Sequence, residues 1–254
     1  AGRAAGAGRL LDRLLAAEPD HTAALHLTGV LALRAGRHGR AVEALRRAVA
    51  LAPGDPACLT NLGTALGESG QDDEAEATLR RATAATPPAP AAFLNLGVLL
   101  RRRGRAGEAV APLERAVALR PGYARAWVEL GRAHLDVDRP GPALACFERA
   151  IALAPDDADA LHDAGVAERS LGRFEAALAR FEAAAARIPD RAETWLHLGA
   201  CRQELGRQGD AEAAYRRALA LDRGLYPLVL KGLTTAPKGR LDLRPSGRRG
   251  ALLP

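Results

Sequence analysis

Apolar residues in this 254-residue chain fall three and four apart, and no stretch alternates with a period of two. The pattern therefore predicts amphipathic helices and no strands. The helices come in a fixed rhythm. Gly29, Gly63, Gly97, Gly131, Gly165 and Gly199 are spaced 34 residues apart. Alanine follows each glycine twelve residues on, at Ala41, Ala75, Ala109, Ala143, Ala177 and Ala211, and again at Ala48, Ala82, Ala116, Ala150, Ala184 and Ala218. Proline closes five of the six periods, at Pro53, Pro87, Pro121, Pro155 and Pro189, and Arg223 stands in the sixth. No insertion breaks the register.

Each period reads as two helices. Leu25, Leu59, Phe93, Trp127, Leu161 and Trp195 lie four residues before the repeat glycine and share its face of the first helix. The glycine and the two alanines are small where helices cross, which predicts close approach of their backbones. Gly36, Gly70, Gly104, Gly172 and Gly206 are placed to end the first helix in the left-handed conformation. The fourth period has Asp138 there, followed by Arg139-Pro140-Gly141-Pro142, with the prolines expected in the turn and the first helical turn. The closing prolines stop the second helix, and Asp55 with Pro56, or Asp157, caps the next first helix. Pro112, inside a second helix, predicts a local kink.

This pattern resembles the tetratricopeptide repeat (TPR), whose 34-residue motif runs W-x-x-L-G-x-x-Y, then A-x-x-x-F, then P. The fourth period supplies Trp127, Leu130, Gly131, Ala143, Phe147 and Pro155, with His134 at the tyrosine position; the sixth supplies Trp195, Leu198, Gly199, Ala211 and Tyr215. The resemblance implies an all-α fold, a right-handed superhelical solenoid of antiparallel helix pairs. Residues 1–19 match the second helix of a partial repeat, 20–225 hold six tandem repeats, and 226–254 hold a short capping helix and a basic Gly/Pro/Arg-rich tail. The first helix of the chain is expected to lack a covering partner, and the absence of methionine leads us to expect that the natural chain begins upstream.

Composition adjusts this picture slightly. Hydrophobic residues are 48% but aromatics only 4%, which suits closely packed alanine- and leucine-rich helices. The net charge of +6 is concentrated: residues 226–254 carry Lys231, Lys238, Arg240, Arg244, Arg248 and Arg249 against Asp242, which is +5 and leaves about +1 for residues 1–225. The tail has no aromatic residue after Tyr226 on which bases could stack, so nucleic acid is disfavoured as a partner. Cys58, Cys146 and Cys201 are too few and too scattered for a disulfide framework or a structural zinc site. No apolar run is long enough to span a membrane, and no secretory segment is visible, so the expected location is cytoplasmic.

No catalytic motif is present: no phosphate-binding Gly-rich loop with its lysine, no H-E-x-x-H, and only a shortened likeness of a nucleophile elbow at Gly67-Glu68-Ser69-Gly70. His162, Asp163 and His197 are the one set that could meet on a common face, where solvated polar groups are the plainer reading. We expect no enzyme activity, no metal, no cofactor and no small-molecule substrate. In TPR proteins the first helices line the concave groove, and the resemblance places Asn61, Asn95, Thr64, Val98, Glu129, Arg132, Asp163, Arg169 and His197 in it. Asn61 and Asn95, each two residues before its repeat glycine, resemble the asparagine ladder of O-GlcNAc-transferase-type bacterial arrays, which holds the backbone of an extended peptide. An amide both donates and accepts, so it can pair with a peptide unit whatever its side chain; alternatively the two asparagines bond neighbouring helix turns. The expected function is a bacterial-type, non-catalytic scaffold binding a peptide or partner protein, with the oligomeric state left open. The alternative is the regulatory or substrate-recruiting region of a larger enzyme of glycosyltransferase or sulfotransferase type.

Overall fold

The structure, a computed structural model, describes residues 2–235, with side chains from 6 to 233. The basic tail beyond, with Lys238, Arg240, Arg244, Arg248 and Arg249, lies outside the described residues. In chain order the helices are α1 (Gly2–Ala17), α2 (Thr22–Arg34), α3 (His38–Leu51), α4 (Pro56–Glu68), α5 (Asp72–Ala84), α6 (Pro90–Arg102) and α7 (Ala106–Leu119). They continue with α8 (Ala124–Asp136), α9 (Pro140–Leu153), α10 (Ala158–Ser170), α11 (Phe174–Arg187), α12 (Ala192–Glu204) and α13 (Gln208–Leu221). A 3₁₀ turn, Arg223–Leu225, leads into α14 (Tyr226–Thr235). The fold is all-α, a solenoid of antiparallel helix pairs, with no strand among the described residues. It divides into two compact units, residues 1–133 and 134–254. Among the described residues no helix is long and apolar enough to cross a membrane.

The turn inside each repeat follows directly from its backbone chemistry. Gly36, Gly70, Gly104, Gly172 and Gly206 have φ of 67°, 79°, 74°, 72° and 75°. The reversal lets the next N–H reach back five residues, as in Gln71 N to Leu66 O at 2.9 Å and Arg105 N to Leu100 O at 2.9 Å, satisfying carbonyls the helix leaves free. Asp138 makes the same turn without being glycine, at φ 56°, and keeps the bond from Arg139 N to His134 O at 2.8 Å. A short polar side chain tolerates this conformation at a cost of about 1 kcal/mol. Pro140 then occupies the first position of α9, where its missing N–H leaves nothing unsatisfied. Asp55 accepts from the Ala57 and Cys58 amides at 2.7 and 2.9 Å, and Asp157 accepts from Asp159 and Ala160 at 2.9 and 3.1 Å. Helix α7 runs through Pro112 without interruption, and the next residue, Leu113, is fully buried.

The repeat glycine has a sharper role than backbone contact. A methyl group built on Gly29 would stand 2.4 Å from Leu45 Cγ; on Gly63, 2.5 Å from Leu79 Cγ; on Gly97, 2.4 Å from Leu113 Cγ. In residues 134–254 the same holds for Gly165 against the Phe181 ring at 2.8 Å and Gly199 against the Tyr215 ring at 2.5 Å. What approaches the first helix is therefore a side chain sixteen residues on, projecting from the second helix into the notch the glycine leaves. Burying such a leucine stabilises by roughly 1.5–3 kcal/mol. The closing prolines have a comparable second use. Trp127 Nε1 donates to Pro121 O and Trp195 Nε1 to Pro189 O, each at 2.8 Å, so each indole is fixed against the loop that enters its helix.

The two ends differ. Helix α1 has no fully buried residue among its described side chains, and Leu10 is 65% exposed. It is tied to α3 by Arg40 and Asp12 at 2.7 Å, between two exposed side chains. Helix α14 is seated more firmly, with Val229 buried beside Ala211 and Tyr215, and with Gln203 Nε2 donating to Gly232 O at 3.2 Å. Gln203 Oε1 accepts from the Tyr215 hydroxyl at 2.8 Å, and burial pushes that phenol up to about 12.

Candidate partner-binding surface

Helices α2, α4, α6 and α8 carry the polar positions expected to face a partner in the first unit, and the structure joins several of them side chain to side chain. Asn61 on α4 donates its amide to His26 Nε2 on α2 at 2.7 Å. Asn95 on α6 donates to Thr64 Oγ1 on α4 at 2.8 Å, and Thr64 in turn donates to its own helix at Thr60 O. Each asparagine is half-buried and is held by its amide nitrogen. Neither carbonyl oxygen accepts a hydrogen bond among the described residues. Val98 is half-buried one residue beyond Gly97. Arg102 reaches back to Glu68 at 3.2 Å, where both side chains are about half exposed.

Glu129, on α8, is enclosed by charged partners. It is only 7% exposed, and it serves as counter-ion to two arginines: Arg101 Nε lies 3.4 Å from Oε2, and Arg132 Nη1 donates to Oε1 at 3.1 Å. A carboxylate this enclosed needs such partners, because an unpaired buried charge is costly. Glu129 is thus held between Arg101 and Arg132.

In the second unit α10 and α12 place Asp163, Arg169 and His197, all half-buried. The His197 ring stacks on Phe181 with centroids 5.2 Å apart and 22° between planes. His162 meets the edge of Phe181 at 5.4 Å and lies 5.4 Å from His197, and its Nδ1 is 2.9 Å from the buried Thr194 hydroxyl. Burial first, then the charges of Arg169 and His162, push His197 down to about 3, so the imidazole is neutral at neutral pH. The Arg169 Nε is shielded from solvent and makes no hydrogen bond. Of the set His162, Asp163 and His197, the two histidine rings lie 5.4 Å apart, in an aromatic stack around Phe181. Among the described residues no group of three or more His, Cys, Asp or Glu side chains could hold a metal ion.

The three cysteines are buried, and the Glu76 carboxylate is paired with arginines. Burial raises the Cys58 and Cys201 thiols to about 11, and Cys146 is buried as well. A thiol in that state is neither nucleophile nor ligand at neutral pH. Glu76 sits among Arg80, Arg103 and Arg105 at 2.9, 2.7 and 2.6 Å. Burial would raise its pKa, but the hydrogen bonds from Arg80 and Arg105 hold it below the usual carboxylate value. This cluster ties α5 to α6 and α7 and offers no free acid. The residues that sequence reasoning passed over are His26 as an anchor, Arg101 as the partner of Glu129, and Phe181 and Thr194 beneath the two histidines. Arg101 had a signal: it lies four residues beyond its repeat glycine, as Arg169 does.

Five family models, each for the tetratricopeptide repeat, match residues 1–56, 32–96, 91–120, 130–194 and 192–224. No curated protein matches the chain. Among solved structures, PilF of Pseudomonas aeruginosa is 21% identical with a TM-score of 0.72, over 83% of this chain and 95% of its own. MamA from Desulfovibrio magneticus RS-1 is 22% identical with a TM-score of 0.62, over 67% of this chain and 97% of its own. YrrB, a TPR protein with an unusual peptide-binding site, is 21% identical with a TM-score of 0.59, over 72% and 95%. Likeness at these identities is likeness of fold. The 34-residue helix pairs, the glycine notch with its side chain sixteen residues on, and matched models over residues 1–120 and 130–224 together place this chain in the tetratricopeptide-repeat family.

Proposed function

We propose that this chain is a non-catalytic interaction scaffold that holds an extended segment of a partner protein along the face formed by the first helices α2, α4 and α6. The observation that carries the reading is the pair Asn61 and Asn95. They occupy the same position of successive repeats, each is anchored through its nitrogen to the preceding first helix, and among the described residues no donor takes up either carbonyl oxygen. Anchoring fixes the amide before a ligand arrives, which reduces the ordering cost of binding. Helices pack about 8–10 Å apart and an extended chain rises about 3.3 Å per residue, so one asparagine step matches about three ligand residues. Recognition would be of peptide backbone, as in the ladder of O-GlcNAc-transferase-type repeats. The structural likeness to YrrB, with its peptide-binding site, favours the same reading.

The test is a titration of a partner recovered by affinity capture against wild type, the double variant Asn61→Ala/Asn95→Ala, and a chain lacking residues 240–254. Each lost hydrogen bond removes roughly 0.5–1.5 kcal/mol, so the double variant should bind about 5- to 150-fold more weakly. Thermal melts of all three proteins check that folding is intact. Loss of binding on tail removal, with the asparagine variant unchanged, would replace the groove by an electrostatic tail mechanism.

A further inference from the structure

The repeat provides an internal comparison at two arginines. Arginine stands four residues beyond the repeat glycine only in the third and fifth repeats, at Arg101 and Arg169, which are 68 residues or two repeats apart. Arg101 lies against the next first helix, where Glu129 provides its carboxylate at 3.4 Å. The position equivalent to Glu129 two repeats on is His197. Arg169 therefore faces an imidazole where Arg101 faces a carboxylate, and that imidazole is neutral and stacked on Phe181. No ion pair or hydrogen bond of the Arg169 side chain is formed among the described residues; the shielded Nε lacks a hydrogen bond in both arginines, and what differs is the carboxylate that stands 3.4 Å from Arg101. A guanidinium so placed lacks the anion its own repeat frame supplies elsewhere. The half-buried surroundings also weaken solvent screening of the missing interaction.

We propose that Arg169 is an anion-recognition point, where a carboxylate side chain of a bound partner segment takes the place that Glu129 fills for Arg101. The planar fork of an arginine suits a carboxylate, with two parallel N–H donors available to two oxygens. The partner segment is thus expected to carry an acidic residue where it crosses α10 and α12. This rests on the reading of the first-helix face as the partner surface, but its test does not pass through Asn61 or Asn95.

The probes are two capped tripeptides, Ala-Glu-Ala and Ala-Gln-Ala, which differ only in the carboxylate, and inorganic phosphate. Each is titrated into the full chain while the His162 and His197 ring resonances are followed by NMR. The glutamate peptide should bind at least tenfold more tightly than the glutamine peptide. Arg169→Gln should abolish that preference. His197→Glu, which provides in the chain the carboxylate that Arg101 already has, should abolish it as well, with an unchanged or higher melting temperature. Asn61→Ala/Asn95→Ala should leave it intact, so that a failure of the asparagine ladder and a failure of the arginine site are read separately. Equal binding of the two peptides, or a preference that survives Arg169→Gln, overturns the proposal. Phosphate binding tenfold more tightly than the glutamate peptide overturns the carboxylate assignment in favour of a phosphate ligand.

Discussion

A methyl group on Gly97 has no room: it would lie 2.4 Å from Cγ of Leu113, a side chain fully buried in α7. Leu113 cannot swing aside, since its branch carbon and not a flexible tip makes the contact. Gly97→Ala should therefore cost roughly 1–3 kcal/mol through overpacking, despite alanine's better helix propensity. Gly107 is the matched control. It lies in α7 with nothing within 4 Å of a built methyl, so Gly107→Ala should be neutral or stabilise by up to about 1 kcal/mol. Urea denaturation of both variants decides the point, and equal losses would show that the notch does not exist. The glycine period was visible in the sequence, and so were the apolar residues sixteen positions on. Their meeting was not, because spacing shows that a position must be small without showing what fills the gap. The same limit applied to Asn61 and Asn95. Their 34-residue offset was legible, but their anchors His26 and Thr64 lie at offsets of 35 and 31, which depend on how one helix leans on the next.

At the scale of helices, most of what the chain does locally was legible because glycine, proline and aspartate act through their own backbone chemistry. The turns at Gly36, Gly70, Gly104, Gly172 and Gly206 and the caps at Asp55 and Asp157 needed no tertiary information. The environment of His197 did, since burial between α10, α11 and α12 is a property of three packed helices. It yields a pH prediction with a definite sign. His197 titrates near 6.5 when unfolded and near 3 when folded, so the unfolded chain takes up a proton that the folded chain refuses. The stability this contributes is complete above pH 6.5 and is lost as pH falls toward 3. At about 1.4 kcal/mol per pH unit, discounted for a half-buried ring, the full loss is roughly 2–4 kcal/mol. About 1 kcal/mol of it should fall between pH 6.5 and 5, before most carboxylates titrate. Glu168 works in the opposite sense, its carboxyl raised by burial against the pull of Arg180. Comparison with His197→Gln cancels that contribution, along with those of the other histidines. The variant should show a shallower dependence of the denaturation midpoint on pH over this window, and parallel curves would refute the burial of His197.

Over the whole molecule, stability in a repeat array is close to a sum of each repeat's own stability and its contacts with neighbours, so protection should follow how many faces each helix has covered. Helix α6 carries Ala92, Leu94, Leu96, Leu99 and Leu100 buried, and α7 carries Ala109, Leu113, Ala116 and Val117. Helix α1 has none fully buried among its described side chains, and its ion pair between Asp12 and Arg40 is exposed on both sides. Exposed pairs contribute about 0.2–1 kcal/mol, too little to replace a missing apolar face. Local opening is governed by such deficits, and helices with few buried contacts exchange through small fluctuations rather than global unfolding. Amide exchange in α1 should therefore be at least about 100-fold faster than in α6 and α7, a gap of about 2.7 kcal/mol in opening free energy. Helix α14, with Val229 buried, Leu225 buried in the turn before it and Gln203 bonded to Gly232, should lie between these limits. Exchange followed by mass spectrometry on the intact chain, at two protein concentrations tenfold apart, tests the ordering. Protection in α1 that matches α6 at both concentrations would contradict the additive picture. Protection that rises with concentration would show instead that a second copy of the chain covers the open face of α1.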